Sequence, residues 1–338
     1  MENAHFAWVT PVEIMLQYVG WQTGISYQCP EPEGLTQAYV HELLGQMHSH
    51  GMNIMSFMMV SCELNDPLHD GYAWPVRKPR LRCYLDEKIR NAQPEHEFLQ
   101  TEIEYAARLG LHVQLFTNNF WWNHRKAIIG YPKIAAIHSD DPTAGDWHHQ
   151  ATNQDTWAMA CDEVADLLGF YTSSAVKSYG WEMMGTPWST DYAVAYAETM
   201  RAFAAYVRTV RSDIEVWHHG YLKFENERRP DVYRSAGIDV VFPCIHLVTS
   251  EEQLAEVIAS SEDIPFVLHV DVRDFPTANY RVPLKTPEYI EQMCRWITRH
   301  LRDNLLGVMF FNEVSASQKN KDAVYREIDQ WRHSGICK

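Results

Sequence analysis

The chain contains no Cys-x-x-Cys pair, and its seven cysteines (Cys29, Cys62, Cys83, Cys161, Cys244, Cys294 and Cys337) are odd in number and scattered. That spacing argues against a structural zinc site. Thiols inside apolar runs behave as small hydrophobes, which fits a reducing compartment. There is no Gly-x-Gly-x-x-Gly turn and no P-loop, so the usual phosphate cradles are missing. A Gly-x-Ser-x-Gly elbow is also missing, which argues against a serine hydrolase of that type. No lysine is well placed for a Schiff base: Lys177 opens a strand at the wrong end, and Lys223 lies just beyond another. No apolar run reaches the roughly 18 residues that a spanning helix needs. Met1-Glu2-Asn3-Ala4-His5 is not a basic region leading into an apolar run, so a cytoplasmic protein without a signal peptide is expected. Positive charge is scarce as well. Lys and Arg number 29 against 44 Asp and Glu, a net charge of -15, which disfavours nucleic acid or an anionic membrane as partner.

Apolar residues make up 46% of the 338, and there are 12 Trp and 17 Tyr. Aromatic faces stack on the C–H faces of hydroxyl-rich ligands, although they serve equally well in a large core.

Apolar runs of strand character alternate with amphipathic helices along the whole chain. The strands are expected at Glu13–Trp21, Asn53–Val60, His112–Asn118, Lys177–Met184, Ile214–Tyr221, Ile238–His246, Pro265–Val272 and Gly307–Asn312. The intervening helices are expected at Leu35–His50, Glu95–Leu109, Asp155–Tyr171, Tyr192–Val210, Arg229–Ala236, Ser250–Ser260, Thr286–Arg302 and Lys319–Trp331. Such alternation implies parallel strands joined by right-handed crossovers. Eight units make an α/β protein with a single (β/α)8 barrel over residues 1–338, with long loops after strands two and three. A doubly wound open sheet is the other arrangement, but Trp21-Gln22-Thr23-Gly24 is not the glycine-rich turn such sheets carry after strand one.

In this architecture the site is built at the C-terminal ends of the strands. Polar and aromatic residues collect there: Trp21-Gln22, Asn118-Asn119, Glu182, Trp217-His218-His219, His246, the triplet His269, Asp271 and Arg273, and Asn312-Glu313. Spacing by two puts His269, Asp271 and Arg273 on one face of their strand. Glu182 sits between Trp181 and Met183-Met184, apolar surroundings that raise a carboxyl pKa. A carboxylic acid that protonates the leaving oxygen, paired with a second carboxylate, is the machinery of glycoside hydrolysis. Glu182 is the candidate acid, with Asp271 or Glu313 as nucleophile or base. Trp21, Trp122, Trp188 and Trp217 are candidate sugar platforms, and Asn119, His218, His246, His269, Arg273 and Tyr280 would bind hydroxyls or a substrate carboxylate. Two other readings stay open. Glu182, His246, Asp271 and Glu313 could hold a divalent metal in a sugar isomerase or epimerase. A carbohydrate-binding barrel without catalysis would keep the aromatics alone.

The stretch from Asp155-Thr156-Trp157 to Tyr179-Gly180-Trp181-Glu182, together with Gly307-Val308-Met309-Phe310-Phe311-Asn312-Glu313, resembles the TIM-barrel glycoside hydrolases. That resemblance covers the whole chain at the level of architecture. It implies a barrel, an acid at the end of strand four, a partner near the end of strand seven, a carbohydrate substrate and no cofactor or metal. The chain departs from the Trp-x-x-x-Asn-Glu-Pro pattern of the large retaining clan. Laid over Trp181 to Pro187, the pattern's Glu position holds Thr186, and strand seven carries Asp271 where that clan has Glu.

Overall fold

The structure is a computed structural model that describes residues 15–24, 36–61, 71–72, 74–82, 97–117, 136–137, 148–149, 154–182, 190–220, 230–243, 245–261, 263–275, 283–311 and 313–337. Eight parallel strands close into a barrel: β1 (Tyr18–Gly24), β2 (Ile54–Met58), β3 (His112–Thr117), β4 (Val176–Glu182), β5 (Glu215–Gly220), β6 (Val240–Pro243), β7 (Phe266–Asp271) and β8 (Leu305–Phe311). Each strand pairs with its sequence neighbours, and β1 closes on β8 through pairs such as Trp21 with Phe310. This is the expected (β/α)8 barrel.

Helices follow the strands in turn: α1 (Gln37–Ser49), α2 (Glu97–Arg108), α3 (Gln154–Phe170), α4 (Thr190–Val210), α5 (Pro230–Ser235), α6 (Glu251–Ser260), α7 (Pro287–Arg299) and α8 (Gln318–His333). Their starts carry the polar caps that satisfy otherwise orphaned amides. Thr36, Ser250 and Thr286 accept from the amides of Tyr39, Gln253 and Tyr289, and Pro287 supplies the first turn of α7.

Strand alternation divides the buried residues into two layers. Val19, Trp21, Met55, Phe57, Val113, Leu115, Tyr179, Trp181, Val241, Leu268, Val270, Val308 and Phe310 meet the helices. Inside the barrel, Ile54, Trp217, Val240, Phe242, Val267 and Met309 form one cluster, and Met58, Phe116 and Phe311 a second.

Boundaries moved in three instructive places. Strand one runs to Gly24, so Gln22 and Thr23 belong to it and are not its exit. Strand six stops at Pro243, which leaves His246 in the following turn. Strand seven stops at Asp271, so Arg273 lies past its end. Of the long loop after strand two, residues 61, 71–72 and 74–82 are described, and the last of these segments lies against α3: Trp74 Nε1 and the Arg77 amide both donate to Asp166, and Lys78 Nζ donates to Asp162. Two short antiparallel pairs, Val60–Ser61 with Gly71–Tyr72 and Ala136–Ile137 with His148–His149, were not foreseen. No helix among the described residues is long and apolar enough to cross a membrane.

Candidate active site at the C-terminal face

At the C-terminal end of β7, His269 and Asp271 both face the barrel interior, as their spacing required. Asp271 is buried and accepts three hydrogen bonds from Arg273: Nε at 2.9 Å, Nη2 at 2.7 Å and the backbone amide at 3.1 Å. Burial pushes its carboxyl pKa up, but the Arg273 guanidinium outweighs burial and holds the group below the usual carboxylate range. Asp271 is therefore ionised at neutral pH. The loop that carries Arg273 is fixed from below. Lys285 donates its amide to Arg273 O and its Nζ to His246 O. Asn320 of α8 donates to Val272 O and Lys285 O, and Asp274 binds the Ser317 amide.

Beside this pair stand three buried imidazoles. His246 stacks on Phe311 at 4.9 Å and lies 5.0 Å from His269, whose ring is 4.6 Å from that of His219. Burial lowers the His246 pKa to about 3 and carries His269 well below its ordinary value, so both are neutral. His269 Nδ1 lies 3.1 Å from His219 Nε2, and its Nε2 lies 2.6 Å from Gln22 Oε1. Gln22 Nε2 donates to Ser56 Oγ, which donates to Gln114 Oε1. Gly180 of β4 lets Phe116 and Gln114 close up against the strand in this layer. A Cβ there would stand 2.7 Å from Phe116 Cδ2 and 3.3 Å from Gln114 Cδ.

Glu182 is the last residue of β4 and pairs in register with His219 of β5. It follows Trp181, whose ring packs on Phe203 of α4, so position 182 belongs to the interior face. Three strands further round the barrel comes Asp271.

Several expected site residues sit elsewhere. Trp21 is not at the rim. It is fully buried under α8, with its ring 5.6 Å from Phe310 and Nε1 3.3 Å from Tyr325 Oη. Trp217 lies low in the barrel, against Tyr18 and Phe242. His218 faces the helices, 5.1 Å from Trp181 and 5.2 Å from Tyr233, and burial lowers its pKa to about 3. Glu313 opens a short 3-10 turn and is fully buried in the helix layer. It is bonded there by Lys321, Tyr39 and Thr23. It cannot serve as partner to Glu182, and it leaves the four-residue metal set without one member. Among the described residues, no group of three or more His, Cys, Asp and Glu is arranged to hold a metal ion. Asn119, Trp122, Trp188 and Tyr280 lie outside the described residues.

Ser56 and Gln114 were not among the expected site residues, and Gln22 and His219 stood among the strand-end residues without an assigned role. The signal for the latter two was present: Gln22 adjoins Trp21 and His219 adjoins His218, one position away in each case.

No protein-family model matches the chain, and no curated protein does. Solved structures do. The glycoside hydrolase domain of PgaB (BpsB) from Bordetella bronchiseptica superposes over 93% of this chain and 99% of its own length, with TM-score 0.62 and 12% identity. The family 20 exo β-N-acetylglucosaminidase of Vibrio harveyi matches over 96% of this chain and 55% of its own, with TM-score 0.60 and 11% identity. The family 36 α-galactosidase AgaA of Geobacillus stearothermophilus matches over 96% and 42%, with TM-score 0.56 and 9% identity. The chain thus spans less than half the length of that α-galactosidase. What it shares with these glycoside hydrolases is the (β/α)8 barrel.

Proposed function

We propose that the chain is a glycoside hydrolase, with Glu182 as general acid and Asp271 as the second carboxylate. The observation that carries this is Asp271: an inward, ionised carboxylate at the end of β7, set beside neutral imidazoles at the face where barrels of this kind build their sites. The barrel likeness to three kinds of glycoside hydrolase supports the same reading. Glu182 would protonate the glycosidic oxygen as the bond to the anomeric carbon breaks. Asp271 would then either attack that carbon or take a proton from the attacking water. The anomeric configuration of the first-formed product separates the two roles. His246 and Arg273 would take sugar hydroxyls or a substrate carboxylate. The metal-isomerase reading loses ground because Glu313 is committed to Lys321.

A panel of aryl α- and β-glycosides tests the proposal. Wild type is expected to release the aryl alcohol from at least one member, and Glu182→Gln to be slower by about 10²–10⁴-fold. An unreactive wild type, or a fully active Glu182→Gln, would overturn it. Asp271→Asn separates a catalytic carboxylate from a purely structural ion pair. A structural pair would cost stability and leave turnover per folded molecule unchanged.

A further inference from the structure

Large apolar side chains are mostly buried in this protein, and the exceptions fall together. Among the described residues, Leu247, Phe275 and Leu284 are exposed, at 44%, 42% and 50%. Exposed hydrophobic residues scattered singly need no explanation. These three sit on segments that hydrogen bonds tie into one unit at the C-terminal face. Leu247 lies on the turn after β6, which is closed by the Val248 amide donating to Ile245 O at 3.1 Å. Lys285 Nζ donates at 2.7 Å to the carbonyl of His246, the residue before Leu247, and Leu284 directly precedes that lysine. The Lys285 amide donates to Arg273 O at 2.7 Å, and Phe275 lies two residues beyond Arg273. Tyr289 Oη of α7 holds the same turn by donating to Val248 O at 2.9 Å. The short stretches that carry His246 and Arg273 therefore carry the three apolar groups as well.

We propose that Leu247, Phe275 and Leu284 form an apolar lip at the rim of the candidate active site, and that the lip takes the alkyl or aryl aglycone of a glycoside. The proposal rests on the site being that of a glycoside hydrolase. Area and place select this occupant. Three half-exposed side chains of this size offer on the order of 300 Å². A stable protein interface needs roughly 800 Å² from each partner, so the lip is too small for a second copy and is the right size for one small apolar group. The net charge of -15 disfavours an anionic membrane surface. The lip begins one residue from His246 and two from Arg273, whose guanidinium is bonded to Asp271. A sugar held at Asp271 thus lies beside it. Covering the lip with an apolar aglycone takes apolar surface of both partners out of water, which favours binding of such substrates over sugars without one.

The test is inhibition by alkyl glycosides, methyl to octyl, of the aryl glycoside cleavage that the panel identifies. It compares wild type with Phe275→Ser and with the double variant Leu247→Ser, Leu284→Ser. In wild type the inhibition constant should fall by about two- to fourfold per added methylene until the chain outgrows the lip. The double variant should cut the octyl-to-methyl ratio by about tenfold, and Phe275→Ser by less. Tm should stay close to wild type in both, because the side chains are exposed. A wild-type ratio near one, or a ratio unchanged in both variants, overturns the lip. Sedimentation covers the other occupant: a wild-type dimer that the double variant splits would make the patch an interface between copies and overturn the proposal. If no aryl glycoside is cleaved, the assigned reaction fails, and calorimetric binding of octyl glucoside decides the lip by itself. Binding weakened in the double variant keeps the lip as a site for an apolar group; equal or undetectable binding in both proteins removes it.

Discussion

The two ends of the barrel interior use the same kinds of residue for different ends. At the N-terminal end, Glu215 accepts from Tyr18 Oη and Trp217 Nε1, and His112 Nε2 lies 2.6 Å from Ser178 Oγ. Tyr18, His112 and Trp217 also meet edge to face. Each polar group finds its partner within the cluster, and the cluster plugs the bottom. At the C-terminal end the bonds form a line. It starts at His219, crosses five strands and finishes at Gln114, whose Nε2 has no partner among the described residues. Among the described residues the closed set leaves no buried side-chain polar atom without a partner, whereas the line leaves Gln114 Nε2. Polarity inside a barrel is therefore a poor marker of function, and position at the C-terminal face is a better one.

The contrast can be broken or sharpened by experiment. The largest effect is expected from Glu182→Gln at the upper end: turnover down by about 10²–10⁴-fold with Tm close to wild type. Asp271→Asn should lose comparable activity and also lower Tm, because Arg273 is left buried with a neutral partner. Next comes Lys321→Met, outside both ends. It strands Glu313 in the helix layer and should cost about 3–5 kcal/mol in urea unfolding, with turnover of the folded enzyme preserved.

Acid should then act on stability through the buried imidazoles. His112, His218 and His246 each have a folded pKa near 3, lowered by burial, against about 6.5 when unfolded. The unfolded chain therefore binds more protons across that window. The stabilisation is present above pH 6.5 and is lost as pH falls toward 3, by up to about 1.4 kcal/mol per pH unit for each histidine. Urea midpoints at pH 7 and pH 5 measure it; equal midpoints would contradict neutral burial. The smallest effect is expected at the lower end. Tyr18→Phe should cost about 1 kcal/mol and leave kcat unchanged, since it removes one partly buried hydrogen bond from the plug. A large loss of turnover there would erase the distinction between the two ends.

The eight units were legible because helices and strands repeat with different periods. The phase of each strand was not. Strands of a parallel barrel are buried on both faces, so apolar residues do not alternate with polar ones. Trp21 and Gln22, or His218 and His219, then look equally able to point inward. Phase was recoverable only where one face held several polar groups in step, as with His269 and Asp271. Glu313 was misplaced for another reason: β8 ends at Phe311, and the 3-10 turn at Glu313–Ser315 points that carboxylate at α1 and α8. The polar middle layer escaped notice because Gln22, Ser56 and Gln114 come from three separate strands, and only closure of the barrel brings them together.

That closure has a consequence for how the molecule is assembled. Trp21 and Tyr325 are 304 residues apart in sequence, and Gln22 and His269 are 247 apart. Contacts of such separation are slow to form, since the loop entropy must be overcome before they stabilise anything. On the ribosome, β1 emerges long before β8, the second of its two neighbours. Until β7 and β8 are both in place, Gln22 has no His269 beside it. The His269–Gln22 bond beneath the rim is thus among the last things the folding chain acquires, and its formation would report a completed barrel during synthesis or refolding.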